Sequence, residues 1–509
     1  MTLDRIIGFG RVAADLVIDA DVVIVGTGPG GAAAAARLSE NGKRVVMLEG
    51  GSYLFPGTFP QESSESSAKL YIEDGQLAAA SPTGAFVPLA AGKGVGGSSL
   101  INSAMCFRGT DDRLNEWSEW VSSDRVAPQN MARLYDEIEE TLHVTTTPTA
   151  PEVAGQNNLV MYRGIQALGW DGAMCERNAP GCVGCGVCFL GCPVGGKGSV
   201  DRNFIAQRAL NHDTTVYADT WCEEIIIENG RAVGVRGTMV DPVSRNPGPR
   251  IEVRASKVIL AGGTIGTAKL LLKTEVSANE HIGKHLHFHP TGCIYGLFDH
   301  PIEIWKGVTQ GVFAHKHDEP GLLLESFSVR PEVFFSQGAE PGSNGKEFFQ
   351  MLPYIAGCGY LLRDESEGTM TLGDRGKSVI SYDLTDDDLD TMRRGFKMGA
   401  DVYFAAGVRK VKLGLWYMGY VSTPAEVDEA IARIKVPNDI HLYGSHLQSS
   451  CRMASSPEDG VVDSRGQVFD VPGLFIADSS TFPSALGRNP QMTVAAMALN
   501  VAEQMLEDW

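Results

Sequence analysis

The sequence lacks a long apolar run. No window of about 18 consecutive apolar residues occurs in its 509 residues, whereas a membrane-spanning helix needs about 20. Residues 1–20 also lack the continuous apolar core of an export signal and carry three aspartates and two arginines. We therefore expect a protein that has no membrane span and resides in the cytoplasm.

The sequence also has few basic residues. It contains 43 Lys and Arg against 62 Asp and Glu, which gives a formal net charge of −19. Nucleic acids and anionic membranes bind clustered Lys and Arg side chains. The composition therefore disfavours both as partners, and an acidic surface that keeps the protein soluble is the simplest interpretation.

Internal repeats and low-complexity tracts are absent as well, and the length favours at least two domains. Ten cysteines occur without a secretory signal, which argues for metal ligands or free thiols over disulfides.

A dinucleotide-binding pattern opens the chain. Residues 21–25 form a buried-strand pattern that is followed by G-x-G-x-x-G, an Ala-rich helix pattern and a second strand that ends in Glu49. Gly26 permits the tight turn, Gly28 lets a pyrophosphate approach backbone amides, and Gly31 lets the helix pack on the strand. We expect Glu49 to accept hydrogen bonds from a ribose.

Several further segments have recognisable patterns. A second glycine cluster follows at 92–102, and 216–240 alternates like a hairpin with Asn229-Gly230 at its turn. Residues 257–263 predict a buried strand that ends in glycines, 471–478 a short strand and 491–506 a helix with an apolar face. His285, His287 and His289 alternate, which suggests a strand with structural or substrate-loop histidines rather than a metal site.

The chain resembles the GMC (glucose–methanol–choline) family of FAD-dependent oxidoreductases, in particular its bacterial alcohol- and sugar-oxidising members. The likeness rests on the N-terminal fingerprint and on the segments 92–102, 258–271 and 446–503. It implies an α/β fold with a discontinuous Rossmann-like FAD-binding domain (18–110, 180–290 and 440–509). An α+β substrate domain (291–439) would contain a largely antiparallel sheet, and 111–179 would be a covering excursion.

The resemblance also implies roles for single residues. His446, in a run similar to the family's His-x-x-Gly-Thr-Cys, would face flavin and substrate, and Asn489 would be its catalytic partner. This run departs from the family pattern at Ser449, where the family has Gly. The resemblance further implies cofactor contacts for Gly97, Asn102, Cys222 and Asp478. Asn102 stands where some relatives attach FAD through a histidine, so FAD is expected to be non-covalent.

These residue types can supply the groups that the oxidation of an alcohol requires. A neutral imidazole at His446 can accept a hydroxyl proton, and the amide of Asn489 can hold the hydroxyl oxygen. A helix that begins near Pro490 would direct its positive end toward the flavin.

A cysteine run at 182–193 matches C-x₂-C-x₂-C-x₃-C-P, the ferredoxin spacing. Three interpretations stay open: an iron–sulfur cluster with three or four irons, a structural zinc site, or a metal-free loop. The candidate ligands are Cys182, Cys185, Cys188 and Cys192, with Cys175 as a possible substitute.

The expected reaction is oxidation of a primary hydroxyl, on a sugar-like or aminoglycoside-like substrate, to an aldehyde. Electrons would leave to oxygen or to an acceptor protein, through the cluster if one is present. The alternatives are a long-chain or sterol alcohol oxidase that uses oxygen, a redox-silent lyase on the same fold, and an electron-transfer subunit.

Overall fold

The computed structural model describes residues 3–81, 85–275, 279–332, 346, 349–416 and 418–509. Apolar side chains at helical spacing and proline or Ser/Thr at the first positions mark many of the helix starts. The α-helices are α1 (Pro29–Glu40), α2 (Ser63–Leu70), α3 (Asp111–Trp120), α4 (Pro128–Leu142), α5 (Pro151–Ala154), α6 (Gln156–Leu168), α7 (Gly263–Thr274), α8 (Asp386–Ala405), α9 (Pro424–Ala432) and α10 (Gln491–Glu507).

The strands form four sheets. They are β1 (Ile6–Ile7), β2 (Leu16–Val25), β3 (Val45–Leu48), β4 (Ala78–Ala80), β5 (Phe86–Pro88), β6 (Thr145–Thr146), β7 (Asp171–Met174), β8 (Glu176–Arg177), β9 (Thr214–Tyr217), β10 (Thr220–Glu228), β11 (Arg231–Val240), β12 (Pro247–Leu260), β13 (Thr291–Leu297), β14 (Val312–His315), β15 (Leu322–Ser326), β16 (Ile355–Leu362), β17 (Thr369–Leu372), β18 (Ser378–Ser381), β19 (Lys410–Leu413) and β20 (Leu474–Ile476).

The largest sheet has the order β1-β9-β3-β2-β12-β11-β10, with β20 also paired to β12. Strands β2, β3, β9, β12 and β20 pair in parallel, and β10–β12 pair antiparallel. The parallel part has an apolar centre, where Val22, Val23 and Ile24 of β2 are fully buried. The carboxyl ends of β2, β12 and β20 meet at one edge, where a ligand of such a sheet binds.

A second sheet of six strands has the order β19-β13-β16-β15-β14-β7 and is antiparallel throughout. Helix α8 packs on β13 and β16, and β16 is buried along its whole length. The edge strand β7 comes from the segment predicted to be a covering excursion. Two smaller sheets have the orders β17-β18-β4-β5 and β6-β8.

The predicted α/β architecture, with a parallel sheet and a second antiparallel sheet, is confirmed. The hairpin predicted around Asn229-Gly230 is also present as β10 and β11, and both turn residues have positive φ. The division of the chain into the predicted units stays a prediction. Within the described residues, no helix has the length and apolar character needed to cross a membrane.

The strand expected from the alternating histidines does not form. His285 and His289 have φ values of 61° and 52°, which are incompatible with extended backbone. The segment makes isolated bridges at Leu286 and His287 instead. The carboxylate of Asp364 accepts hydrogen bonds from the backbone N–H groups of Phe288 and His289 at 3.3 and 3.2 Å, so a side chain satisfies this backbone in place of a neighbouring strand.

Candidate active site

One cavity of about 380 Å³ runs from the turn after β2, past the turn between β12 and α7, to the start of α10. Its position at the carboxyl ends of the parallel strands explains why residues distant in sequence share it. The sequence-predicted residues that line it are Gly26, Gly28, Glu49, Gly97, Asn102, Cys222, His446, Asp478 and Asn489.

Close backbone contacts shape the first end of the cavity. Gly26 has a φ of 103°, and a Cβ there would lie 2.2 Å from the carbonyl oxygen of Ala261. A Cβ on Gly97 would lie 2.7 Å from Cα of Gly28, so two loops meet here with no room for a side chain on Gly97. Gly31 lies behind the cavity, inside α1, with its hypothetical Cβ 2.2 Å from the oxygen of Gly26. The N-terminus of α1 therefore faces open space that suits a phosphate group.

Glu49 accepts hydrogen bonds from the loops at this end of the cavity. Its Oε2 accepts hydrogen bonds from the N–H and hydroxyl groups of Thr27, at 3.0 and 2.7 Å. Its Oε1 accepts from the N–H groups of Gly51 and Gly94, at 3.0 and 3.1 Å. Burial raises the pKa of Glu49, and these four hydrogen bonds oppose that rise. Four donors occupy the carboxylate, so its described contacts hold the glycine loops together.

Asp478 plays a similar structural part at the next turn. Its Oδ2 accepts from the N–H of Gly263 at 2.9 Å and from the hydroxyl of Thr267 at 2.6 Å, and its Oδ1 accepts from the N–H of Ser480 at 2.8 Å. Burial raises the pKa of Asp478. The carboxylate thus ties the start of α7 to the strand end of β20.

Polar groups without partners lie at the far end of the cavity. Asn489 Oδ1 and Gln491 Nε2 are buried and have no hydrogen-bond partner among the described residues. Gln491 Oε1 accepts a hydrogen bond from the amide of Asn102, whose own Oδ1 accepts from the N–H of Ala104 at 3.1 Å. Buried polar atoms are normally paired, so these two are suited to a bound molecule.

His446 lies at the same end of the cavity. Burial lowers its pKa to about 4, so its imidazole is neutral at physiological pH. The ring contacts a second imidazole, that of the fully buried His289, with 3.1 Å between the two Nδ1 atoms. His446 and Asn489 thus line one cavity, although 42 residues lie between them along the chain.

Two known protein families match the sequence. The GMC oxidoreductase family matches in two parts, over residues 40–291 and 364–498, and a family described as an FAD binding domain matches residues 21–56. The chain belongs to the GMC oxidoreductase family. It is an FAD-dependent oxidoreductase.

Several relatives of this GMC oxidoreductase are known. An uncharacterized GMC-type oxidoreductase of Mycobacterium tuberculosis is 31% identical over 96% of this chain and 76% of that protein. A long-chain-alcohol oxidase of Arabidopsis thaliana is 26% identical over 96% of this chain and 68% of its own. Pyridoxine 4-oxidase from Mesorbium loti has a similar fold, with a TM-score of 0.73 at 17% identity, over 96% of this chain and 99% of that chain.

The residues of this GMC oxidoreductase fit FAD. The glycine-lined end and the helix N-terminus suit the pyrophosphate, and the unpartnered amides at the other end suit the polar edge of an isoalloxazine. Cys222 lies on β10 beside Trp221 and also lines the cavity. Burial raises the pKa of its thiol to about 12, so Cys222 is a neutral thiol that is suited to packing rather than to metal binding.

The cysteine run of this GMC oxidoreductase lies beside a buried arginine. Cys182 and Cys188 both contact the guanidinium of Arg177, at 3.6 and 3.7 Å from its Nη atoms, and Arg177 is buried. In the parts of the chain that the structure covers, no group of three or more His, Cys, Asp or Glu side chains could hold a metal ion. Neither an iron–sulfur cluster nor a structural zinc is supported by this geometry.

Partial burial raises the pKa of Cys185, and the nearby Cys188, Cys192 and Cys182 raise it further. Cys185 is exposed, and the sulfur of Cys192 accepts a hydrogen bond from the N–H of Lys197 at 3.4 Å. Lys197 directs its ammonium group to three backbone carbonyl oxygens of this region. Cys175, the possible substitute, is buried, and burial raises the pKa of its thiol well above the ordinary value.

Glu325 and Gln310 are site residues that sequence reasoning missed. Gln310 lines the cavity, and its amide donates to Oε2 of Glu325 at 3.0 Å. Asn489 also lies within hydrogen-bond reach of this carboxyl group, and burial raises the pKa of Glu325 to about 8. Oε1 of Glu325 is buried and has no partner among the described residues. The sequence contained one indication of this role. Glu325 directly follows three leucines in a strand that is buried throughout, and a carboxylate is rarely buried without a partner.

Proposed function

We propose that this GMC oxidoreductase oxidises the primary hydroxyl of a sugar-like or aminoglycoside-like substrate to an aldehyde. The observation that carries the proposal is that His446 and Asn489 line the same cavity, with Asn489 Oδ1 buried and unpartnered among the described residues. FAD, when bound, supplies the acceptor for the hydride that leaves the carbinol carbon.

The protein side chains would bind and orient the hydroxyl group. Asn489 and His446 would hold its oxygen, and this positions the carbon-bound hydrogen for transfer. Neutral His446 would also assist the loss of the hydroxyl proton. The second layer behind these residues is polar, with Gln310 and Glu325 in contact, which favours a substrate that carries more than one polar group.

Non-covalent FAD is part of the proposal. The side chain of Asn102 is an amide that is already held by Gln491 and Ala104, and an amide does not form a bond to flavin. Acid precipitation of the holoenzyme should therefore release the yellow colour into the supernatant. Colour that stays with the pellet would contradict this part of the proposal.

For the cysteine run we propose the metal-free interpretation, with oxygen or a separate acceptor taking the electrons directly from the flavin. The contacts of Arg177 with Cys182 and Cys188 support it. Anaerobically purified protein should contain FAD without stoichiometric iron, zinc or acid-labile sulfide. Cys185→Ser should leave flavin content and turnover unchanged. Iron and sulfide that disappear in Cys185→Ser would reinstate the cluster.

An anaerobic spectrum tests the proposed reaction. The holoenzyme is mixed with sugars, aminoglycosides, short 1,2-diols and straight-chain alcohols of increasing length, and the visible absorption band of the oxidised flavin is followed. Bleaching by the polar primary alcohols, absent in His446→Ala, is the expected result. If no alcohol bleaches the flavin, the proposed alcohol oxidation is refuted, and the lyase and electron-transfer alternatives gain support.

Oxidation of long-chain alcohols is the second candidate. It is favoured by the Arabidopsis thaliana relatives, whose names describe long-chain-alcohol oxidases. In the same experiment, bleaching that increases with alkyl chain length would select this candidate over the polar one.

A further inference from the structure

The rings of His289 and His446 share a hydrogen bond. The Nδ1 atoms of the two rings lie 3.1 Å apart, and the ring planes are 79° from parallel. A hydrogen bond between two imidazole nitrogens contains one proton, so one Nδ1 donates and the other accepts. The partners of the remaining nitrogens decide which ring is the donor.

The Nε2 atom of His289 faces two donors. The backbone N–H of Gly487 points to it at 2.8 Å, and the amide nitrogen of Gln448 lies at 3.0 Å. The orientation of the Gln448 amide is set independently. Its Oε1 accepts from the N–H of Leu486 at 3.0 Å, and its Nε2 donates to the carbonyl oxygen of His446 at 3.0 Å. A proton on Nε2 of His289 would therefore meet two further N–H groups.

The proton position in His289 fixes the proton position in His446. Nε2 of His289 accepts, so the proton of this neutral ring is on Nδ1 and is donated to Nδ1 of His446. His446 then carries its own proton on Nε2. Burial keeps both rings neutral, since it lowers the pKa of His446 to about 4 and that of His289 well below its ordinary value.

We propose that His289 is a positioning residue that holds His446 in the Nε2–H tautomer, so that His446 meets the substrate oxygen as a hydrogen-bond donor. This inference rests on the proposed function for its substrate, but the tautomer itself does not. Such a donor stabilises the negative charge that develops on the oxygen as the hydroxyl proton leaves. The proton-accepting role expected from the sequence requires the opposite tautomer of His446.

The hydroxyl proton then needs a base other than His446. Glu325 is the candidate, because its carboxyl group accepts a hydrogen bond from Gln310, which lines the cavity, and has one oxygen without a partner among the described residues. With that acceptor, His446 keeps its proton throughout, and its Nδ1 stays an acceptor toward His289.

Nitrogen NMR of the FAD-loaded protein, labelled with ¹⁵N-histidine, tests the tautomer directly. The signals are assigned with His446→Gln and His289→Asn, and His143→Asn, which changes an exposed histidine, serves as a control. We expect His446 protonated at Nε2 and His289 protonated at Nδ1, with no change between pH 6 and about 8. His446 protonated at Nδ1, or His289 protonated at Nε2, would overturn the proposal.

Two variants separate positioning from structure. His289→Asn can keep a donor toward His446, whereas His289→Ala removes it. We expect flavin reduction by the substrate to slow about tenfold or more in His289→Ala, and the Asn variant to recover most of the rate. Equal rates in wild type and His289→Ala would overturn the proposed role. An Nε2–H tautomer without reduction by any alcohol would leave the tautomer standing and refute the proposed function instead.

Discussion

Removal of the Glu49 carboxylate should destabilise the protein strongly, because four donors depend on it. In Glu49→Ala the hydroxyl of Thr27 retains the carbonyl oxygen of Gly94 as an acceptor at 3.4 Å. The backbone N–H groups of Thr27, Gly51 and Gly94 lose their acceptor. A buried donor without a partner costs about 1–3 kcal/mol. Relief of the carboxylate's own burial offsets part of the sum, so we expect a loss of about 3 kcal/mol in the free energy of unfolding.

Urea denaturation of the flavin-free protein measures this loss, and a fluorescence titration measures FAD affinity. Glu49→Gln should have an intermediate effect, since its carbonyl oxygen can serve one pair of donors while its NH₂ group opposes the other pair. FAD affinity should fall at least tenfold in Glu49→Ala, a cost of about 1.4 kcal/mol. Asp19→Ala, which changes an exposed carboxylate on β2, is the control. A Glu49→Ala protein within about 1 kcal/mol of the control would refute the reasoning.

Three further predictions concern the site. His446→Ala should slow substrate-driven flavin reduction about 10²–10⁴-fold, and Asn489→Ala should also slow it, with FAD retained in both; wild-type rates in stopped-flow absorbance would place the site elsewhere. Burial raises the pKa of Glu325 to about 8, so its carboxylate form, the one that can accept a proton, increases as the pH rises through that value. Flavin reduction should accelerate between pH 7 and about 9 and lose this acceleration in Glu325→Gln; identical pH profiles would contradict the role. Ser449 has a φ of 75° and a buried hydroxyl without a partner among the described residues, so Ser449→Gly should raise the free energy of unfolding by about 1–2 kcal/mol; a lower thermal midpoint would contradict this.

Sequence patterns predicted those features of the site that depend on neighbouring residues in the chain. The turn at Gly26 follows from its strand–turn–helix context, and the structure shows the positive φ that only glycine adopts without strain. His446 and Asn489 both lie in the C-terminal segment 446–503, which resembles the family over its whole length. Their placement beside the cavity needed only that this segment pack at the carboxyl ends of the parallel strands.

Long-range packing determined the rest. Glu325 reaches Asn489 because β15 lies in the second sheet, and His289 reaches His446 across a segment with unusual backbone angles. No spacing in the sequence encodes either contact. The ferredoxin spacing of the cysteine run likewise does not reveal that Arg177, from β8, lies against Cys182 and Cys188.

The central claim is that a carbon-bound hydrogen of an alcohol passes to FAD at the end of the cavity where His446 and Asn489 lie. The most direct test is anaerobic stopped-flow reduction of the holoenzyme by the best alcohol of the panel and by the same alcohol deuterated at its carbinol carbon. The account predicts a clear primary isotope effect on flavin bleaching in the wild type, and loss of most bleaching in His446→Ala. Bleaching at the same rate with both isotopic forms at every alcohol concentration, or unchanged bleaching in His446→Ala, would contradict it.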